Sequence, residues 1–233
     1  MVLLHYQARG VASLLAAKSP GHLFRYLCFK RGWLTSSVME AAAFVRGRAG
    51  LPAPDLELGF APVLYVDQGL TAPAEHGFTL GACLLRPRST GSVRLQSRGP
   101  CWPPRIDPCY LSDEGGEDLR TLAEGAILLR RLAGVAALRP YKAREITAGP
   151  PCRAGGDVES FIRSQAQTLY HPMGTCRMGV DGLAVVDPRL RVRGVSRLRV
   201  ADASVMPTAV RGHTNAAAVL IGEKAAGLIL RGP

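Results

Sequence analysis

The sequence predicts an α+β chain: an antiparallel sheet of about five or six strands, helices packed on one face, and a closing strand–helix segment. Three observations carry this. Residues 55–60 and 92–96 alternate apolar and polar with period two, around a more continuously apolar run at 78–85 suited to a central strand, which is a meander pattern. Residues 117–138 form one long amphipathic stretch, with Leu119, Leu122, Ala123, Ala126, Leu129, Leu132 and Ala133 recurring on a single face. From Tyr170 onward the chain reads turn, strand, strand, helix.

Residues 1–50 read as irregular or strand-like, then helical. Ser19 and Pro20 open a helix with proline in its first turn, running through Leu23, Tyr26 and Leu27 to a stop at Gly32. Residues 35–45 fit a strand or a short helix, and 46–54 a loop. Residues 87–91 are the turn joining the apolar strand to the next, and 99–108 a proline-rich loop. The acidic residues of 113–118 and the pair Arg130 and Arg131 complement the dipole of the long helix. A Gly- and Pro-rich loop at 149–156 leads to a short helix at 158–167. Residues 190–192 and 198–200 flank Gly194 as a hairpin or closely spaced strand pair, and the second strand ends at Asp202. Pro207 breaks the chain, Thr214 reads as an N-cap, and 216–230 form an apolar helix that ends before Gly232.

Composition narrows the function classes. A chain of 233 residues, 47% hydrophobic, buries a real core in one or two domains and is not disordered. No run of about 18 apolar residues occurs, so no membrane span is expected. The apolar start is interrupted by Arg9 and has no basic leader, so no signal peptide is expected. The net charge of +11 is almost all arginine, scattered and without interleaved aromatics. It reads as solvated surface, and no nucleic-acid partner is expected. The densest cluster, Arg189, Arg191, Arg193, Arg197 and Arg199, alternates with apolar residues as one face of a strand pair would. Cys28, Cys83, Cys101, Cys109, Cys152 and Cys176 form no C-x-x-C and read as reduced thiols of a cytoplasmic protein. His171, Cys176 and His213 match no zinc spacing, so no metal is expected.

Two short segments carry chemistry. His171 lies in the run Tyr170-His171-Pro172-Met173-Gly174-Thr175-Cys176-Arg177-Met178-Gly179, and Asn215 in Gly212-His213-Thr214-Asn215-Ala216. Proline holds its predecessor out of the helical region, so His171 is extended on a rigid turn. A base titrating near neutrality and a neutral hydrogen-bonding partner suit removal of a hydroxyl proton. Each residue also has a structural reading: His171 satisfying a turn, Asn215 at a helix start, Asp202 capping a strand end or turn. No G-x-G-x-x-G or other phosphate cradle is found in the sequence.

The HPMGTCRMG run at 171–179 and the segment from Val185 to Ile229 resemble the C-terminal part of the glucose–methanol–choline (GMC) flavoprotein oxidoreductases, closest to the choline- and alcohol-dehydrogenase-like branch. The likeness continues more loosely through LLRPRSTGSVRL, PPRIDPCYLSD and KRGWLTSSVMEAAAFV upstream. It implies a substrate-binding domain at 1–168 and a catalytic, flavin-contacting segment at 169–233, with the family's N-terminal FAD-binding unit as a needed partner. It implies FAD as cofactor, an alcohol as small-molecule substrate, and His171 and Asn215 as catalytic residues. Asp202, Ala203, His213, Thr214, Asn215 and Ala216 are the implied cofactor contacts; His213 could instead simply occupy its loop. Phe60, Tyr65, Phe78 and Leu80 are candidate pocket residues. The alternative is a remnant or binding module that keeps the fold without flavin.

Overall fold

The computed structural model describes residues 1–147 and 156–231. Most of the loop expected at 149–156, Cys152, and the helix stop at Gly232 lie outside the described residues. In chain order the strands are β1 (Val2–Ala8), β2 (Ala41–Val45), β3 (Leu56–Ala61), β4 (Gly77–Leu84), β5 (Ser92–Arg94), β6 (Arg105–Asp107) and β7 (Lys142–Glu145). The helices are α1 (Pro20–Phe29), α2 (Glu117–Ala133), α3 (Gly156–Gln165) and α4 (Thr214–Leu230). No helix among the described residues is long and apolar enough to cross a membrane. The chain divides into two compact units, Met1–Leu84 with Gly116–Gln167, and Leu85–Gly115 with Thr168–Pro233.

The first unit is a five-stranded antiparallel sheet in the order β2-β3-β4-β1-β7. Val2, Leu4 and Tyr6 sit opposite Ala82, Leu80 and Phe78, and all six are buried. Their shared parity puts them on one face, and α2 lies over it. Leu119, Leu122, Ala126, Leu129 and Ala133 form its buried side, as the periodicity predicts, but Ala123 is only half-buried and Leu132, expected on the same face, is exposed. The helix stops at Gly134 rather than Leu138; the Gly134 N–H reaches the Arg130, Arg131 and Leu132 carbonyls. At Gly125 the helix comes closest to the sheet: a Cβ there would stand 2.8 Å from Ala82 Cβ.

The Tyr6 hydroxyl donates to Glu145 at 3.1 Å, and Arg130 grips the same carboxylate through Nε and Nη2 while lying over the Phe161 ring. Burial first, then the Glu145 charge, pushes the Tyr6 hydroxyl above its ordinary range. Phe78 and Leu80 belong to this core rather than to a pocket, because their face is the one α2 covers; Phe60 and Tyr65 are half-buried.

On the opposite face His5 Nδ1 is 2.9 Å from Thr79 Oγ1. Burial lowers the His5 pKa from 6.5. The unfolded chain therefore binds that proton more readily than the folded one, and the His5 contribution is present above about pH 6.5 and lost as pH falls toward the folded value. Urea midpoints measured at pH 7.5 and 5.5 are expected to drop on acidification, and to drop less in His5→Gln. An equal drop in both proteins would remove His5 as the cause.

Three expectations are corrected. The meander does not run on from β4: both its edges are taken by β1 and β3, and β5 pairs instead with β6 in a separate hairpin of the second unit. Residues 105–107 of the expected proline-rich loop thus form a strand. Residues 190–192 and 198–200 make only isolated bridges, Val186 with Val192 and Arg191 with Arg199, because Leu190 and Arg197 take positive φ. The Gly194 turn still pairs them, with Val192 N–H on Leu198 O and Val200 N–H on Leu190 O. Strand β7 carried no recognisable alternation in four residues. The core of the second unit is Val186, Leu190, Val205 and Ala225, packed against Met178, Val192, Ile221 and Leu228 among others.

Candidate functional site

The site is built within the second unit. Tyr170 stands at φ 61, in the left-handed region, and its N–H is held by Thr168 Oγ1 at 2.8 Å. The chain thus reverses one residue before His171, and Pro172 keeps His171 itself out of the helical region. Gly174 at φ 85 makes the second reversal, a conformation that favours glycine. The segment is then fastened to a neighbouring turn: Cys176 N–H donates to Ser204 O at 3.0 Å and Met178 N–H to Val205 O at 2.8 Å.

That neighbouring turn is the 3-10 turn Ala203–Val205, and Asp202 is its N-cap, accepting the Ser204 N–H at 2.7 Å. Hydrogen bonding to Ser204 holds the Asp202 carboxyl below the usual carboxylate range. Val205, buried at the end of the turn, anchors it in the core. Asp202 is exposed and Ala203 half-buried.

Helix α4 begins after His213, whose extended backbone makes it the N-cap and whose side chain caps nothing. Thr214 is therefore the first helical residue, not the cap. Ile221, Ala225 and Leu228 line the face turned to the core. Val219, Leu220, Ile229 and Leu230 are exposed, on a helix apolar nearly all round.

These elements bring His171, His213 and Thr214 together. His171 Nε2 is 2.8 Å from His213 Nδ1, with the rings edge to face, and His171 Nδ1 is 3.2 Å from Thr214 Oγ1. Two proton arrangements satisfy both contacts. In one, His171 Nε2–H donates to His213 and Nδ1 accepts the Thr214 hydroxyl. In the other, His213 Nδ1–H donates to His171 Nε2, and His171 Nδ1–H donates to Thr214. The second leaves the Nε2 lone pair as the acceptor, the state a general base requires. Asn215 and Ala216 come next in the first turn of α4, both exposed. Asp202 and Ala203 join the cluster only through the backbone pairing of their turn with Cys176 and Met178.

The contact of Thr214 with His171 had no sequence signal, since 43 residues separate them and a threonine at a helix start reads as a cap. Among the described residues no three His, Cys, Asp or Glu side chains gather as metal ligands do.

Comparison with known proteins identifies the family. The family model described as GMC oxidoreductase matches residues 87–222, more than half of the chain. An uncharacterised GMC-type oxidoreductase of Mycobacterium tuberculosis is 51% identical over 221 residues, covering 93% of this chain and 41% of the relative. The alcohol dehydrogenase [acceptor] of Pseudomonas putida is 40% identical over 222 residues, covering 95% of this chain and 40% of the relative. The crystal structure of pyridoxine 4-oxidase from Mesorbium loti superposes on all of this chain and 43% of its own with a TM-score of 0.80 at 27% identity. The chain spans about two fifths of the length of the relatives it matches. On the family match and the α+β fold it shares with these structures, the chain belongs to the GMC oxidoreductases.

Proposed function

We propose that the chain is the substrate-binding and catalytic part of an FAD-dependent oxidoreductase acting on the CH–OH group of an alcohol. The observation that carries this reading is the pair of hydrogen bonds that fixes the His171 ring, at 2.8 and 3.2 Å, beside the start of α4. In this reading residues 1–168 bind substrate and 169–233 carry the chemistry. An N-terminal FAD-binding half completes the site, and the protein works in the cytoplasm.

The residues fit the cofactor. The first N–H groups of the 17-residue helix α4 have no side-chain cap, and a helix N-terminus is a set of donors with partial positive charge, suited to an electron-rich or anionic ring. Thr214, Asn215 and Ala216 supply those N–H groups, with His213 beside them and the Asp202–Ala203 backbone contributing from its turn. The chemistry that FAD would supply there is that of a hydride acceptor for the carbinol carbon.

The work of the chain is the proton. Thr214 Oγ1, accepting from Nδ1–H, leaves the His171 Nε2 lone pair free to take the substrate hydroxyl proton once the alcohol displaces His213 from it. Oxygen charge builds as the O–H bond breaks, and the Asn215 amide N–H stabilises it. Such a donor in a dry site is worth about 3 kcal/mol.

The test is a visible absorption spectrum of the purified chain after incubation with excess FAD and removal of free ligand. Flavin bands near stoichiometry, bleached anaerobically by a primary alcohol or choline, support the reading. Flavin that is held but reduced by no alcohol favours a binding module. A colourless protein that gains flavin and activity only with its N-terminal half assigns the cofactor site to both parts together.

A further inference from the structure

His213 stands at the N-cap of α4, yet its side chain caps nothing. A serine, threonine, aspartate or asparagine there would bond a first-turn N–H. The histidine turns away instead. Its Nδ1 lies 2.8 Å from His171 Nε2, the atom proposed to take the hydroxyl proton. Thr214, next in the chain, holds the opposite nitrogen of the same ring at 3.2 Å. His171 is thus fixed from behind and met at its reacting atom by a second ring that can carry a proton. The gap between the two nitrogens holds one proton. When the pair carries one proton beyond its neutral count, Thr214 faces Nδ1–H of His171, His213 bears Nε2–H, and the third proton sits in the gap. The two forms of that state differ only by the passage of this proton from one nitrogen to the other.

We propose that His213 is a proton relay, which takes from His171 Nε2 the proton removed from the alcohol and returns the base to its acceptor state. The inference rests on the reading of His171 as that base. The steps balance. The alcohol O–H bond breaks and an N–H bond forms at His171 Nε2, giving a His171 cation whose Nδ1–H still donates to Thr214. While the alcohol displaces it, His213 trades its ring proton from Nδ1 to Nε2 through water. After the carbonyl product leaves, His213 returns with its Nδ1 lone pair toward His171. The Nε2–H bond of His171 breaks, and an Nδ1–H bond forms on His213. His213, now the cation, gives its Nε2 proton to water. What remains is a His171 Nε2 lone pair facing His213 Nδ1–H, the state from which the next hydroxyl proton is taken. A histidine that merely covered His171 would make the same contact, but the two roles have opposite effects on proton exchange. A relay speeds the exchange of the His171 proton with water, and a cover slows it.

The experiment is proton–nitrogen NMR of the full chain with labelled histidine rings, which reads how fast the His171 Nε2 proton exchanges with water at neutral pH. The parent is compared with His213→Gln, which keeps a hydrogen-bonding group but cannot carry a proton, and with His213→Ala. Residue 213 has φ −70 and ψ 140, extended backbone open to any residue, and its side chain caps nothing, so the helix start survives both changes. The His171–Thr214 contact, seen in the same spectra, checks this. Exchange is expected to slow at least about tenfold in both variants, and free imidazole in solution to restore it in His213→Ala. In FAD-loaded protein, joined to the N-terminal half where flavin binding requires it, imidazole is expected to raise the turnover of His213→Ala but not that of the parent. Exchange that quickens or stays unchanged in the variants makes His213 a cover and overturns the relay, while leaving His171 as base. Normal flavin reduction in His171→Ala removes the base reading, and with it the relay's place in turnover, whatever the exchange rates.

Discussion

His171→Ala, in protein loaded with FAD, is expected to slow reduction of the flavin by alcohol at least about a hundredfold. The substitution removes the ring that His213 and Thr214 hold from its two nitrogens, and with it the acceptor for the hydroxyl proton. Alanine leaves the turn intact, because the bends on either side are set by Tyr170 and Gly174. Flavin content should stay near that of the parent, which separates a lost base from a lost cofactor. Stopped-flow reduction under anaerobic conditions gives the rate. Asn215→Ala should slow the same step to a smaller degree, since it removes a stabilising donor and not the base. A normal rate in His171→Ala would end the assignment of His171, whatever the fate of Asn215.

Gly125→Leu is expected to cost the first unit about 3 kcal/mol of stability, and Gly125→Ala about 1 kcal/mol. The two terms oppose each other in the alanine variant. Alanine in a helix interior gains nearly 1 kcal/mol over glycine. Against that, its Cβ would stand 2.8 Å from Ala82 Cβ and 3.4 Å from Leu56 Cδ2. Ala82 Cβ is fixed to the central strand and cannot swing aside, so helix and sheet must separate along their whole contact. Leu119, Leu122 and Leu129 then lose close packing together. Leucine adds a branched side chain to the same gap. Urea unfolding of the purified chain reads both values. An alanine variant more stable than the parent would mean that the helix sits on the sheet without needing glycine.

Legibility followed element length and locality. Helix α2 could be read to its buried face because seventeen residues give nearly five turns of repeated pattern. Strands β3 and β4 were legible from alternation and from an apolar run, while β6 and β7, of three and four residues, are too short for a period to register. Which strands pair was not legible, because pairing depends on edges already occupied, and the sequence does not mark β4 as full on both sides. The candidate residues stood out by motif, but the ring contact of His171 with Thr214 and His213 depends on a helix start being folded back 43 residues later. The positive φ of Leu190 and Arg197 overrode two good strand patterns, and neither residue type announces it.

The pairing of β1 between β4 and β7 also sets a timetable for synthesis. Strand β1 emerges before β4 and β7, yet one of its edges waits for Lys142–Glu145, and the His5 N–H bonds Thr147 across 142 residues. At typical elongation rates that interval is about 10 s. Throughout it, Val2–Ala8 offers an open edge, and the whole Leu85–Gly115 excursion is made before the first unit closes. A nascent chain of this order holds an apolar strand unfinished longer than a simple hairpin ladder would, and long-range closure of this kind slows folding. Chaperone holding of the first 84 residues is therefore of most use to this chain while it is still on the ribosome.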